Sequence, residues 1–185
     1  MRKVINSTYL SLDGVQEKPE LWSLDYFNDE ALAYATDQLF ASDALLMGRR
    51  TYDVFAATWP GRAGDPFTDR VNGMAKYVAS STLASAAWNN TTIIRGDLAA
   101  EVARLKQQPG KDILMYGFGP VARTLLERGL LDEIRFWIHP IFVGTGGTQD
   151  LLFRGSGQAK LRLVATKTLA TGVAIVSYQP ATARP

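Results

Sequence analysis

Three short segments carry residues suited to holding phosphate, and each directly follows a stretch that reads as a strand. Gly48-Arg49-Arg50-Thr51 follow DALLM, Ser80-Ser81-Thr82 follow KYVA, and Gly117-Phe118-Gly119-Pro120-Val121 follow DILMY. Amide groups at a helix start have no partner within the helix and carry partial positive charge. An arginine there adds a two-pronged donor. Hydroxyls donate to phosphate oxygens, and glycine lets the backbone approach a pyrophosphate closely. Taken singly, each segment has a plainer reading. The arginines suit a solvated helix start, the hydroxyls a turn, and residues 117–122, a G-x-G-x-x-A match, a tight strand-to-helix turn. Taken together they lie at carboxyl ends of strands, where open α/β sheets bind ligands, and they suit a phosphorylated dinucleotide. A regular Rossmann NAD site fits poorly. It needs an acidic residue at the end of the next strand, whereas Asp132 and Glu133 come at the start of one.

The elements that must position these segments follow from periodicity and punctuation. Strands are predicted over 4–10, 43–47, 76–80, 91–95 and 112–116. A helix over 28–40 starts at Asn28 as N-cap, with Asp29 and Glu30 in its first turn. A second helix begins at Arg49 and stops at Trp59-Pro60-Gly61; residues 61–70 read as a Gly/Pro/Asp loop. Leu98, Val102 and Leu105 share one face of a helix over 98–107, and Pro120 opens a helix that Gly129 closes. Residues 133–143 are extended and interrupted by Pro140, with a glycine loop over 144–147. Residues 161–169 and 173–178 form an antiparallel hairpin around Thr171-Gly172. Early strands alternate with helices and late ones do not. This predicts one α/β domain over 1–180: a mixed, mostly parallel sheet with an antiparallel C-terminal hairpin and helices on both faces. The tail over 181–185 is expected to fray.

Composition excludes several function classes. Of 185 residues 46% are hydrophobic and 21% charged, the balance of a globular chain. There is no cysteine, and His139 is the one histidine, so no metal site is expected. A net charge of +2 spread without a basic stripe gives no support to a nucleic-acid partner. No apolar run approaches the roughly 20 residues of a membrane span. The N-terminus lacks the apolar core of a signal peptide, so a cytoplasmic protein is expected. A Ser/His/Asp hydrolase would need His139 as base and a G-x-S-x-G elbow, which the sequence lacks.

The order of motifs resembles the dihydrofolate reductase-like superfamily. They are SLDGVQ (11–16), LLMGRRTYDVF (45–55), KYVASSTL (76–83), YGFGPVARTLLERGLLDE (116–133) and HPIFVGTGG (139–147). The similarity is strongest to the branch holding the reductase domain of bacterial riboflavin-biosynthesis deaminase-reductases and their stand-alone relatives, and it spans nearly the whole chain. It implies a three-layer fold on a mostly eight-stranded sheet, an NADPH site and a homodimer. By the resemblance, Gly48, Arg49, Arg50 and Thr51 contact phosphates. Ser80, Ser81 and Thr82 surround the adenosine 2′-phosphate. Gly117, Phe118, Gly119, Pro120 and Val121 line the pyrophosphate and nicotinamide.

The implied activity is hydride transfer from NADPH to a pyrimidine- or pterin-like small molecule. Two alternatives stand beside it: a non-catalytic nucleotide-binding protein that retains the fold, and a stand-alone 5-amino-6-(5-phosphoribosylamino)uracil reductase. The sequence departs from dihydrofolate reductases at the proton donor, because Phe27 stands five residues after Trp22 where those enzymes place a carboxylate. Glu30 and Asp25 are the replacements considered, Glu30 being one turn into the first helix. Asp13, Trp22, Phe27 and Trp59 are the expected substrate-pocket residues. Asp13 otherwise reads as a turn residue and the aromatics as core.

Overall fold

The computed structural model describes residues 1–144, 147–152 and 157–181. Their strands are β1 (Val4–Ser11), β2 (Ser42–Gly48), β3 (Ala75–Ala79), β4 (Thr91–Ile94), β5 (Asp112–Tyr116), β6 (Glu133–His139), β7 (Leu161–Thr168) and β8 (Ala174–Pro180). Helices are α1 (Asp29–Phe40), α2 (Arg49–Thr58), α3 (Pro66–Gly73), α4 (Leu98–Gln107) and α5 (Pro120–Glu127).

One sheet holds all eight strands in the order β4-β3-β2-β5-β1-β6-β8-β7. Strands β1 to β6 run parallel, and β8 pairs antiparallel with both β6 and β7. Parallel neighbours need crossovers, and crossovers are right-handed. The chain first steps outward from β1 through β2, β3 and β4, so α1, α2 and α3 pack on one face. There Leu39, Tyr52 and Val71 meet Leu45, Met47 and Leu114. The chain then steps back through β5 to β6, and one handedness sends α4 and α5 to the opposite face. There Val102, Leu105, Ala122 and Leu125 cover Leu46, Ile113 and Ile134. The central strands are therefore apolar on both sides, which explains the continuous runs ALLM and ILM in the sequence.

Buried cations are hydrogen-bonded at the amino end of the sheet. Lys106 Nζ donates to Asp132 Oδ2 at 2.5 Å and to the Leu130 carbonyl at 3.0 Å. Lys76 is fully buried, and its ammonium donates to the carbonyls of Asn72, Met74 and Asn89 beneath the ring of Trp88. Burial pushes the Lys76 pKa down to about 8. These cations fasten α4 to β6 and the end of α3 to β3.

The predicted loop over 61–70 is corrected. Asp65 accepts from the Thr68 amide at 2.9 Å, Pro66 occupies the first helical position, and α3 begins there. The Asp-Pro signal of a helix start lay inside a Gly-rich stretch that masked it. The segment after β6 leaves the sheet at His139, one residue before Pro140. The hairpin turn falls where Thr171-Gly172 predicted it, with Gly172 at φ +88. The tail prediction concerns residues outside those described, except Ala181.

Removing the Asp65 cap should cost about 1 kcal/mol. Urea denaturation is expected to place Asp65→Ala below the wild type by that amount and Asp65→Asn close to it. Equal stability of Asp65→Ala and wild type would contradict the assignment of this cap.

Candidate functional site

Strand pairing brings two helix starts together. β2 lies beside β5, with Leu46 opposite Met115, so the chain leaves the sheet at Gly48 and at Gly117 on adjacent strands. Three helices are capped by side chains at their starts: Asn28 on α1, Asp65 on α3 and Asp97 on α4. The two that begin here have glycine caps, Gly48 and Gly119, with no side-chain cap bond. Their first-turn amides are donors with no partner from within the helix.

The approach of the two starts is close. A Cβ on Gly48 would stand 3.3 Å from Cγ2 of Val121, and one on Gly117 would stand 3.9 Å from the Thr51 hydroxyl. Gly117 also sits at φ +76, a conformation costly to any residue with a side chain. The glycine turn is held from below and beside. Buried Asn6 donates from Nδ2 to the Gly117 carbonyl at 2.8 Å. Gln16 grips Phe118 twice, donating to its carbonyl at 3.1 Å and accepting from its amide at 3.0 Å. Sequence reasoning missed Asn6 and Gln16. Their only signal was an amide side chain within an apolar strand and another just beyond it.

The cations and hydroxyls flank this cradle. Arg49 Nε donates to both oxygens of Asp53, one turn along α2. Arg50 reaches instead across to Glu17, on the loop after β1. Gly48 pairs with Ala79, so Ser80 emerges next to α2. The Ser80 hydroxyl accepts from the amides of Thr82 and Leu83, shaping the turn, while Ser81 and Thr82 are exposed. The Ser80 amide donates to the Ile94 carbonyl, and Arg95, next in the chain, donates to the Ala84 carbonyl at 2.8 Å, just past the hydroxyl run. Arg95 was not singled out in the sequence, because its nearness depends on β4 pairing in register with β3.

A cavity of about 400 Å³ opens between the loops after β1 and β6, lined by Val15, Glu17, Trp22, Ile141, Phe142 and Asp150 among others. Of the expected pocket residues, Trp22 lines it. Its indole nitrogen donates to the Glu17 carbonyl at 3.1 Å, and its ring meets His139 edge-on at 5.2 Å. Asp13 shapes the wall from outside. It accepts from the Ser11 hydroxyl at 2.5 Å and from the amides of Gly144 and Val143. The Ser11 bond, with those amides, holds its carboxyl below the usual range. Trp59 does not line the cavity; it packs with Phe55 and Phe67 below Arg62. Phe27 stands 40% exposed after the turn Leu24–Tyr26.

Glu30 is placed elsewhere than expected. Its carboxylate accepts from the Ala170 amide at 2.8 Å and lies 3.5 Å from Lys167, tying α1 to the β7–β8 turn. The number of turns into a helix does not fix the face a side chain takes, and the hairpin that claims this one is far off in sequence. Asp25 is exposed within the turn Leu24–Tyr26. Two titratable groups behind Trp22 are shifted toward their neutral forms. Burial pushes the Tyr9 hydroxyl up to about 12. Burial also lowers the pKa of His139, whose Nδ1 stands 2.8 Å from the Trp137 carbonyl.

The reversed last strand and the helices on both faces define a dihydrofolate reductase-like α/β fold. The chain belongs to the RibD C-terminal domain family, whose model matches residues 2–175. The uncharacterized protein YyaP of Bacillus subtilis (strain 168) is 31% identical over 182 residues, covering 96% of this chain and 94% of that one. A pyrimidine reductase-like protein from Corynebacterium diphtheriae superposes with a TM-score of 0.68 at 15% identity, covering 98% of this chain and 93% of that one. A diaminohydroxyphosphoribosylaminopyrimidine deaminase/5-amino-6-(5-phosphoribosylamino)uracil reductase from Thermotoga maritima superposes at 0.65 and 16% identity. That match covers 97% of this chain but 57% of the larger protein. Among the described residues no cluster of acidic and histidine side chains could hold a metal, and no helix is long and apolar enough to cross a membrane.

His139 supplies a pH test. Its folded pKa is lowered, so the unfolded chain takes up the proton first, and stability falls as the pH drops below the ordinary value of 6.5. The melting temperature of the wild type is expected to drop more between pH 7 and pH 5 than that of His139→Gln. Parallel curves for the two proteins would contradict a buried neutral imidazole.

Proposed function

We propose that this chain is an NADPH-dependent reductase that delivers hydride to a pyrimidine- or pterin-like ring. The observation that carries the reading is the pair of glycine-capped helix starts, α2 and α5, packed against each other at neighbouring strand ends. Two sets of unpartnered amides and their aligned dipoles form a cradle for a pyrophosphate. Gly48 and Gly117 leave space that a side chain would take.

The strand order supports one direction for the cofactor. Ser80 to Thr82 and Arg95, at β3 and β4, suit the adenosine end and its 2′-phosphate. The cradle lies at β2 and β5, and the cavity beyond β1 suits the nicotinamide and substrate. From β4 to β1 there are four strand spacings of about 4.8 Å, roughly 19 Å in all, a span suited to an extended dinucleotide. NADPH, when bound, supplies the hydride. The chain orients the ring through Gln16 and the Gly117 turn, and Trp22 offers the substrate a flat wall. Glu30, tied to the hairpin, leaves proton delivery to Asp25 or to water in the cavity. A homodimer acting in the cytoplasm belongs to the same reading and rests on family membership.

Thermal shift tests the cofactor directly. NADPH is expected to raise the melting temperature more than NADH does, and equal, negligible shifts would overturn the proposal. Arg49→Ala and Arg95→Ala are expected to weaken NADPH by roughly tenfold, the loss of one charge-assisted hydrogen-bonding group. NADH should be weakened less. Equal losses for both cofactors would mean that neither arginine reads the 2′-phosphate. NADPH oxidation in the presence of pterins and pyrimidines then separates an enzyme from a binding protein.

A further inference from the structure

We propose that Glu17 is a positioning residue that holds Arg50 until a cofactor phosphate takes its place, so that filling the cofactor site resets the wall of the neighbouring cavity. The inference rests on the NADPH reading above.

Arg50 is the second residue of α2, and its guanidinium springs from the helix start where the phosphate would sit. Unlike Arg49, it does not turn back onto its own helix. It reaches the loop after β1 and meets the Glu17 carboxylate with two N–H groups, at 2.9 and 3.4 Å. That fork is also the geometry a guanidinium offers to phosphate. The Arg50 side chain is 75% exposed and that of Glu17 22% exposed. An ion pair this open is weak and screened. A phosphate at the same place gains the first-turn amides and the field of the helix. The exchange therefore favours the phosphate.

Glu17 also belongs to the cavity. It lines the wall beside Trp22, and the Trp22 indole is bonded to its carbonyl oxygen. Gln16, one residue earlier, stays clamped on Phe118 through both of its amide atoms. The loop is thus held at Gln16, and Glu17 joins the Arg50 pair to the Trp22 indole. Transfer of Arg50 from carboxylate to phosphate is felt first at Trp22. One side chain then reports cofactor occupancy to the substrate pocket.

The test uses the full chain labelled with fluorotryptophan. Its Trp22 resonance is identified by its loss in Trp22→Phe and followed while NADPH, and separately inorganic pyrophosphate, is added. Both ligands are expected to move the Trp22 signal. Glu17→Gln is expected to bind NADPH about three-fold more tightly than the wild type, the scale of an exposed ion pair removed as competitor. Its Trp22 signal should lie near the bound position before any ligand is added. A merely structural Glu17 would give the opposite sign, with weaker binding in Glu17→Gln. If NADPH binds normally while Trp22 stays still, or if Glu17→Gln binds no more tightly than wild type, the exchange is overturned and the cofactor reading stands. If neither NADPH nor pyrophosphate binds the wild type, the cofactor reading falls and the exchange falls with it.

Discussion

The close approach of α2 and α5 over the ends of β2 and β5 is the constraint on which the rest depends. Gly48 and Val121 touch because β5, late in the chain, inserts between β2 and β1. Had β5 joined the outer edge after β4, the two uncapped helix starts would lie strands apart and neither alone would hold a pyrophosphate. The sheet order therefore makes the cradle, and the apolar runs on both faces of β2 and β5 hold that order by burial. The amide side chains of Asn6 and Gln16 then pin the glycine turn to the central strand and its loop. They do so without occupying the helix amides.

The same organisation separates stability from function along the strands. Buried, hydrogen-bonded cations such as Lys106 and Lys76 fasten helices to the amino end of the sheet. The carboxyl end carries open donors, exposed arginines in weak pairs and a half-enclosed cavity. The arginines at that end sit in exposed ion pairs, Arg49 with Asp53 and Arg50 with Glu17, which the proposed phosphate would replace. At the other end Lys106 and Lys76 are themselves buried, so their bonds to Asp132 and to backbone carbonyls are shielded from solvent.

Much of this was legible in the sequence, for identifiable reasons. Strong apolar runs bounded by glycine or proline marked β2 and β5, and Leu98, Val102 and Leu105 marked α4. The glycine and arginine segments were found because strand-to-helix junctions have a chemistry that residue types reveal. Helix α3 was missed because its cap lay within a Gly-rich run. Glu30 was considered as the proton donor and is held by Ala170 and Lys167, a contact made across most of the chain. Trp59 was expected in the pocket and is packed with Phe67, on the very helix that went unread. Arg95, Asn6, Gln16 and Glu17 gained meaning only from register and loop packing, which no local pattern encodes. Local chemistry was readable, and the pairing of distant segments was not.

In the proposed reading one dinucleotide lies across the ends of β3, β2 and β5. Amide NMR of the full chain titrated with NADPH addresses it most directly. The backbone signals of Arg49, Arg50, Thr51, Val121 and Ala122 are expected to move together with those of Ser80 to Thr82 and to saturate at one ligand per chain. Binding that leaves these signals in place, or that moves one helix start without the other, would contradict it.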